Sequence, residues 1–217
     1  MATLREFTQT KARPLPVIVL ADVSGSMKGE KIAALNQALR EMISSFGEED
    51  ELRAEIHICV ITFGGEAREH IGLKPAKDVT WEEVQATGNT PMGRAMELAA
   101  ELIADKSKIP SRAYTPTIVL ASDGAPNDDW QAGLKRLTQD VRAQKADRIA
   151  LAIGSDADES MLQAFLGDPA KKVFHAEDAR KIRSFFKFVT MSVGTRTRSA
   201  NPDEVPAMGD PFSLGSF

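Results

Sequence analysis

The chain has 217 residues, 42% of them hydrophobic and 27% charged, with a formal net charge of -4. That length and apolar content allow one core of ordinary size, and the interspersed Lys, Arg and acids leave no basic face that could track phosphates, which argues against nucleic acid as a partner. The single cysteine, Cys59, excludes an intramolecular disulfide and any Cys-based zinc cluster. The N-terminal stretch MATLREFTQTKARP lacks the apolar core of a leader, and no window approaches the ~18 apolar residues of a membrane span. These features predict a cytoplasmic protein with no membrane partner; the oligomeric state is left open, with a monomer favoured.

The first strand is expected over 15–21 (LPVIVLA), an apolar run of strand length. A helix over 29–46 follows, in which Ile32, Leu35, Leu39, Met42, Ile43 and Phe46 recur at helical spacing and form one apolar stripe. Strands at 54–63 (AEIHICVITF) and 67–73 are separated only by Gly64-Gly65-Glu66. That is too short for a parallel crossover, so the second of them should be an antiparallel edge strand. Beyond them the pattern predicts helices over 91–105, 129–144, 158–166 and 178–194, and strands over 116–122 (PTIVLAS), 147–153 and 171–175. This alternation predicts an α/β, Rossmann-like fold: a mainly parallel central sheet with one antiparallel edge strand and helices on both faces. One domain over 15–194 accounts for every periodic segment, after an N-terminal extension over 1–14. Residues 195–217, rich in Pro and Gly toward the end and without periodicity, are expected to be a mostly disordered tail. Its Phe212 and Phe217 read either as a short docking motif or, more commonly for such ends, as isolated apolar residues.

In a doubly wound sheet a ligand lies outside the carboxyl ends of the strands, where the strand order reverses. Three polar clusters fall at such ends: Asp22-Val23-Ser24-Gly25-Ser26, Thr87-Gly88-Asn89-Thr90-Pro91 and Ala121-Ser122-Asp123-Gly124. Together they offer carboxylates from Asp22 and Asp123 and hydroxyls from Ser24, Ser26 and Thr90, with neither thiol nor imidazole. Hard oxygen donors suit Mg²⁺ or Mn²⁺ far better than Zn²⁺, with Ca²⁺ as a third candidate. The DxSxS spacing in an extended turn points alternate side chains the same way, so two serines can fill neighbouring metal positions. Taken singly, each Ser or Asp after a strand would more often be a cap or turn residue, and it is their joint occurrence that favours a metal. Thr87 is an alternative ligand to Thr90, which stands better placed beside Pro91 at a helix start.

The series Asp22-x-Ser24-x-Ser26, Thr90, Asp123 resembles the metal-ion-dependent adhesion site of von Willebrand factor A-type domains, over about residues 15–194. One departure is Ala121-Ser122, where members of that family often carry Leu-Thr. The phrases DVSGSMKGEKIAALNQALR, VITFGG, ATGNTPMGRAM, SDGAPNDDW and AIGSDAD resemble more narrowly the bacterial tellurite-resistance TerY-type branch. The resemblance implies a divalent ion held by Asp22, Ser24, Ser26, Thr90 and Asp123, with one position left for the Glu or Asp of a protein partner. It further implies a non-enzymatic interaction module in a bacterial tellurite-resistance, stress-response or defence setting, with a kinase or phosphatase as companion.

Other readings are weaker. An aspartate at a strand end also fits a phosphotransferase, but the position two residues on is Ser24, which is no general acid near neutral pH. Ser24 and Ser26 lie in no G-x-S-x-G elbow, and no G-x-x-x-x-G-K-[ST] loop occurs. A metal-free scaffold is the third class. Asp128 and Asp129 are expected to cap the helix that follows them, and Asp158 to cap the next, with Asp156 beside it on the ligand side. His57, His70 and His175, with no acidic companion evident in the sequence, read as structural, and Cys59 as a buried, inert thiol.

Overall fold

The computed structural model describes residues 12–49 and 54–205. In chain order the elements are β1 (Arg13–Asp22), α1 (Glu30–Gly47), β2 (Ala54–Gly64), β3 (Glu66–Pro75), α2 (Met92–Ala104), β4 (Thr117–Ser122), α3 (Trp130–Gln139), β5 (Asp147–Ile153), α4 (Glu159–Leu166), β6 (Phe174–Ala176) and α5 (Ala179–Arg198). They build one sheet of order β3-β2-β1-β4-β5-β6. Every neighbouring pair is parallel except β2 and β3. Their hairpin closes through Gly65 alone, whose φ of 76° only glycine adopts without strain. The expected antiparallel edge strand is therefore present.

The four central strands, β1, β2, β4 and β5, are buried on both faces, as a parallel sheet requires. Along β1 the side chains alternate. Leu15, Val17, Val19 and Ala21 join the core formed with α1 and α5, while Ile18 and Leu20 join the core formed with α2, α3 and α4. Cys59 lies in the second core, where burial pushes its thiol pKa far up and keeps it inert. Among the described residues no helix is long and apolar enough to cross a membrane.

Several boundaries depart from the sequence expectation. β1 begins at Arg13, two residues early, in register with Ala54 of β2. The helix expected over 129–144 ends at Gln139, because the Asp140 carboxylate accepts from the backbone N–H groups of Arg142 and Ala143 and turns the chain into a short 3-10 segment. The strand expected over 171–175 is formed by Phe174–Ala176. The helix expected to stop at 194 runs on to Arg198, so the stretch expected as tail starts as helix. The cause is Arg196, which is only 2% exposed and donates to the Pro202 carbonyl, the Thr117 hydroxyl and the Thr115 carbonyl. A second clasp comes from Asp203, which accepts from the backbone and hydroxyl of Thr115. Phe212 and Phe217 lie outside the described residues, as do residues 1–11.

Candidate metal centre

The strand order turns outward in both directions from β1 and β4, so the crevice between their carboxyl ends is the switch point of the sheet. Pairing of Ala21 with Ala121 sets Asp22 beside Ser122 there. The two residues are bonded: the Ser122 hydroxyl donates to Asp22 Oδ2 at 2.6 Å, with both residues fully buried. The backbone N–H of Ser24 donates to Asp22 Oδ1 at 2.8 Å, so both oxygens of this carboxylate are held.

A chain of oxygens continues outward. Ser24 Oγ lies 2.9 Å from Ser26 Oγ, and Ser26 donates to Asp123 Oδ1 at 2.7 Å. The other oxygen of Asp123 accepts from Lys31 Nζ at 2.6 Å. Asp22, Ser24 and Asp123 are buried, whereas Ser26 is exposed, so the row of oxygens runs from the interior to the surface.

The third loop is stitched to the other two by its backbone. Thr87 N donates to Val23 O, Gly25 N to Gly88 O, and Gly65 N to Asn89 O. Gly88 has a φ of 67°, and a Cβ there would stand 2.4 Å from Gly65 Cα, so the approach needs glycine. Asn127 N donates to Thr90 O at 3.1 Å and ties the same loop to the segment after β4. Thr90 is buried and Thr87 exposed, and no hydrogen bond engages the Thr90 hydroxyl among the described residues.

Asp128 differs from expectation. It caps α2 rather than the helix that follows it, its two oxygens accepting from Gly93 N and Arg94 N at 2.9 Å each. Asp129 does cap α3, accepting from Ala132 N, and Asp158 caps α4, accepting from Met161 N. The cross-cap fixes the start of α2, next to Thr90, against the loop that carries Asp123. Close packing adds to it: a Cβ on Gly133 of α3 would lie 2.2 Å from Gly93 O of α2.

The histidines are remote from this crevice in role, but two of them do have acidic companions. His57 Nε2 lies 2.8 Å from Glu55 Oε2 near the opposite end of the sheet, and His175 pairs with Glu159. His70 meets the Glu82 carbonyl and the edge of Trp81. Sequence reasoning missed these pairs, and it missed Ser122 and Lys31 as members of the site. Only the polar character of Ser122 at a strand end could have hinted at its part.

Electrostatically the crevice holds two buried carboxylates and one ammonium. Burial pushes the Asp22 carboxyl above the usual aspartate range; the hydrogen bonds from Ser122 and Ser24 oppose this, and the charge of Asp123 adds to it. Such a group gains from a nearby cation. Among the described residues no cluster of three or more His, Cys, Asp or Glu side chains could hold an ion. An ion here would therefore depend on hydroxyl oxygens beside the two carboxylates, a donor set that fits a hard divalent cation.

Comparison with known proteins agrees with the fold. The pig inter-alpha-trypsin inhibitor heavy chain H4 is 25% identical over 82% of this chain, which spans only 20% of that protein. The von Willebrand factor type A structure from Catenulispora acidiphila superposes with a TM-score of 0.64 at 19% identity, over 83% of this chain and 42% of that one. Proximal thread matrix protein 1 from the mussel byssus, solved with a zinc-occupied MIDAS motif, gives a TM-score of 0.60 at 16% identity, over 83% of this chain and 48% of that one. The chain thus spans less than half the length of each. The model of the von Willebrand factor type A domain matches residues 17–188. That match runs from within β1 to the middle of α5, and the chain belongs to the von Willebrand factor type A domain family.

Proposed function

We propose that this domain is a metal-dependent protein-interaction module. Asp22, Ser24, Ser26, Thr90 and Asp123 would hold a divalent cation, with Mg²⁺ favoured, Mn²⁺ close to it and Ca²⁺ as a further candidate. The observation that carries this reading is the pair of buried carboxylates at the switch point, joined to the surface through the hydroxyls of Ser24 and Ser26. The zinc-occupied motif of the mussel protein supports it. When bound, the ion supplies a Lewis-acidic position that a partner's Glu or Asp carboxylate can complete.

The chain's own residues do the remaining work. Ser122 and the backbone of Ser24 fix both oxygens of Asp22, so that this carboxylate acts from a set position. Asp128 and Asn127 hold the Thr90 loop against the Asp123 loop. Two carboxylates at most neutralise a divalent ion, and hydroxyls add no charge, so the centre stays attractive to a third carboxylate. The narrower setting we propose is cytoplasmic and bacterial, in tellurite resistance or stress response beside a kinase or phosphatase. It rests on the likeness of DVSGSMKGEKIAALNQALR and ATGNTPMGRAM to the TerY-type branch.

Calorimetric titration of Mg²⁺ and Mn²⁺ into EDTA-treated protein tests the ligand set. Saturable binding that is lost in the Ser24→Ala, Ser26→Ala double variant is expected. Unchanged Mn²⁺ affinity in that variant would overturn the assignment.

A further inference from the structure

Lys31 stands in the first turn of α1, and nothing in the metal reading calls for it. Its ammonium donates to Asp123 Oδ2 at 2.6 Å while Ser26 takes Oδ1, so this carboxylate is fully engaged by the chain itself. The Lys31 side chain remains 35% exposed, whereas that of Asp123 is fully buried. The stem passes over the end of β5, where a Cβ on Gly154 would lie 3.5 Å from Nζ and 3.7 Å from Cε. Lys28, three residues earlier, is exposed and makes no ion pair among the described residues.

We propose that Lys31 is a tethered counter-cation of Asp123 that gives way to the metal and thereby couples metal binding to the arrival of a partner's carboxylate. The inference rests on the metal reading above. Without an ion, the ammonium neutralises a carboxylate that would otherwise be buried and unpaired. A divalent ion takes over that neutralisation, and the repelled ammonium, on its flexible four-carbon stem, swings to the rim. There it lacks a partner until an acidic side chain arrives. Metal and carboxylate each favour the same displaced state of Lys31, so each must raise the affinity of the other. A domain built this way holds metal weakly when alone and firmly when an acidic partner is present.

The test is calorimetry of Mn²⁺ binding, with and without glutarate, on the wild-type chain, Lys31→Met, Lys31→Gln and Lys28→Met. Replacing Lys31 should tighten Mn²⁺ binding without glutarate by about tenfold, the effect of removing a close cation from a carboxylate, and should shrink the glutarate enhancement to the part that direct ligation of the metal supplies. Lys28→Met deletes the same charge three residues earlier, just before α1, and should change affinity by less than about threefold, as expected for a solvent-screened charge. A wild-type chain that binds Mn²⁺ no more weakly than the Lys31 variants, or a glutarate enhancement that is undiminished in them, overturns the inference while the metal reading stands. Binding by the Lys31 variants alone, abolished by a further Asp123→Ala change, supports it in its strongest form. Absence of binding in every chain defeats the metal reading and this inference with it.

Discussion

Replacing Ser122 by alanine isolates the contact that sets the innermost carboxylate. The Ser122 hydroxyl donates to Asp22 Oδ2 at 2.6 Å, and both residues are 0% exposed. That length is typical of a charge-assisted O–H···O⁻ bond, and a hydrogen bond to a charged group contributes about 1.5–3 kcal/mol. Removal leaves one oxygen of a buried carboxylate without its donor, while Ser24 N keeps the other. A loss of about 2 kcal/mol is therefore expected for metal-free protein near neutral pH. The pH dependence has a definite sign. The Asp22 carboxyl is already raised by burial, and the bond from Ser122 opposes that rise, so its removal raises it further. A raised carboxyl favours the folded state at low pH and loses that advantage as pH rises through its folded value. The variant should thus approach the wild type in acid and fall behind it at neutral pH. Urea unfolding in EDTA reads this directly: with a slope of about 2–3 kcal/mol per molar, the midpoint should drop by roughly 0.7–1 M at neutral pH. A loss below about 0.5 kcal/mol there, the range of an ordinary surface change, or a larger loss in acid, would refute the reasoning.

Three further outcomes follow from contacts elsewhere. Asp128→Ala removes the cap on Gly93 and Arg94 and should cost about 1–2 kcal/mol, with faster hydrogen exchange at those two amides; unchanged protection there would contradict the cross-cap. Gly133→Ala drives a Cβ into the Gly93 carbonyl and must part α2 from α3, so a loss of more than about 2 kcal/mol is expected, and an unshifted melting temperature would count against that packing. For Glu55, burial favours the neutral acid, but the hydrogen bonds and charges of His57 and Lys77 hold its carboxyl below the usual range. A depressed carboxyl contributes stability above its unfolded value, about 4.3, and loses it as pH falls through the folded value. Glu55→Gln should therefore be destabilised near neutral pH and converge with the wild type in acid, and a constant gap between the two conditions would exclude the ion pair as its cause.

What could be read from the sequence was what is local. The unbroken apolar run LPVIVLA marks a strand buried on both faces, and the DxSxS spacing places Asp22, Ser24 and Ser26 on one turn, which the hydrogen bonds among them show. The short link at Gly64-Gly65 dictated the antiparallel edge, because no crossover fits there. The partners that were missed are joined only by folding. Ser122 and Asp22 are 100 residues apart in the chain, Lys31 and Asp123 92, and Asp128 and Gly93 35. No periodicity encodes such contacts. Arg196 misleads for a related reason: a charged residue after the last apolar stripe reads as solvent-exposed, yet it is buried because two carbonyls and a hydroxyl receive its guanidinium.

Anomalous diffraction from crystals grown with Mn²⁺ and acetate would locate the cation without inference. The expected result is one manganese peak within bonding distance of the hydroxyl oxygens of Ser24, Ser26 and Thr90, with an acetate oxygen on its outer side and the Lys31 ammonium withdrawn from Asp123. Ordered density for these side chains with no manganese among them, or a peak bound by other residues, would contradict the metal centre and leave the crevice between β1 and β4 as a feature of the fold alone.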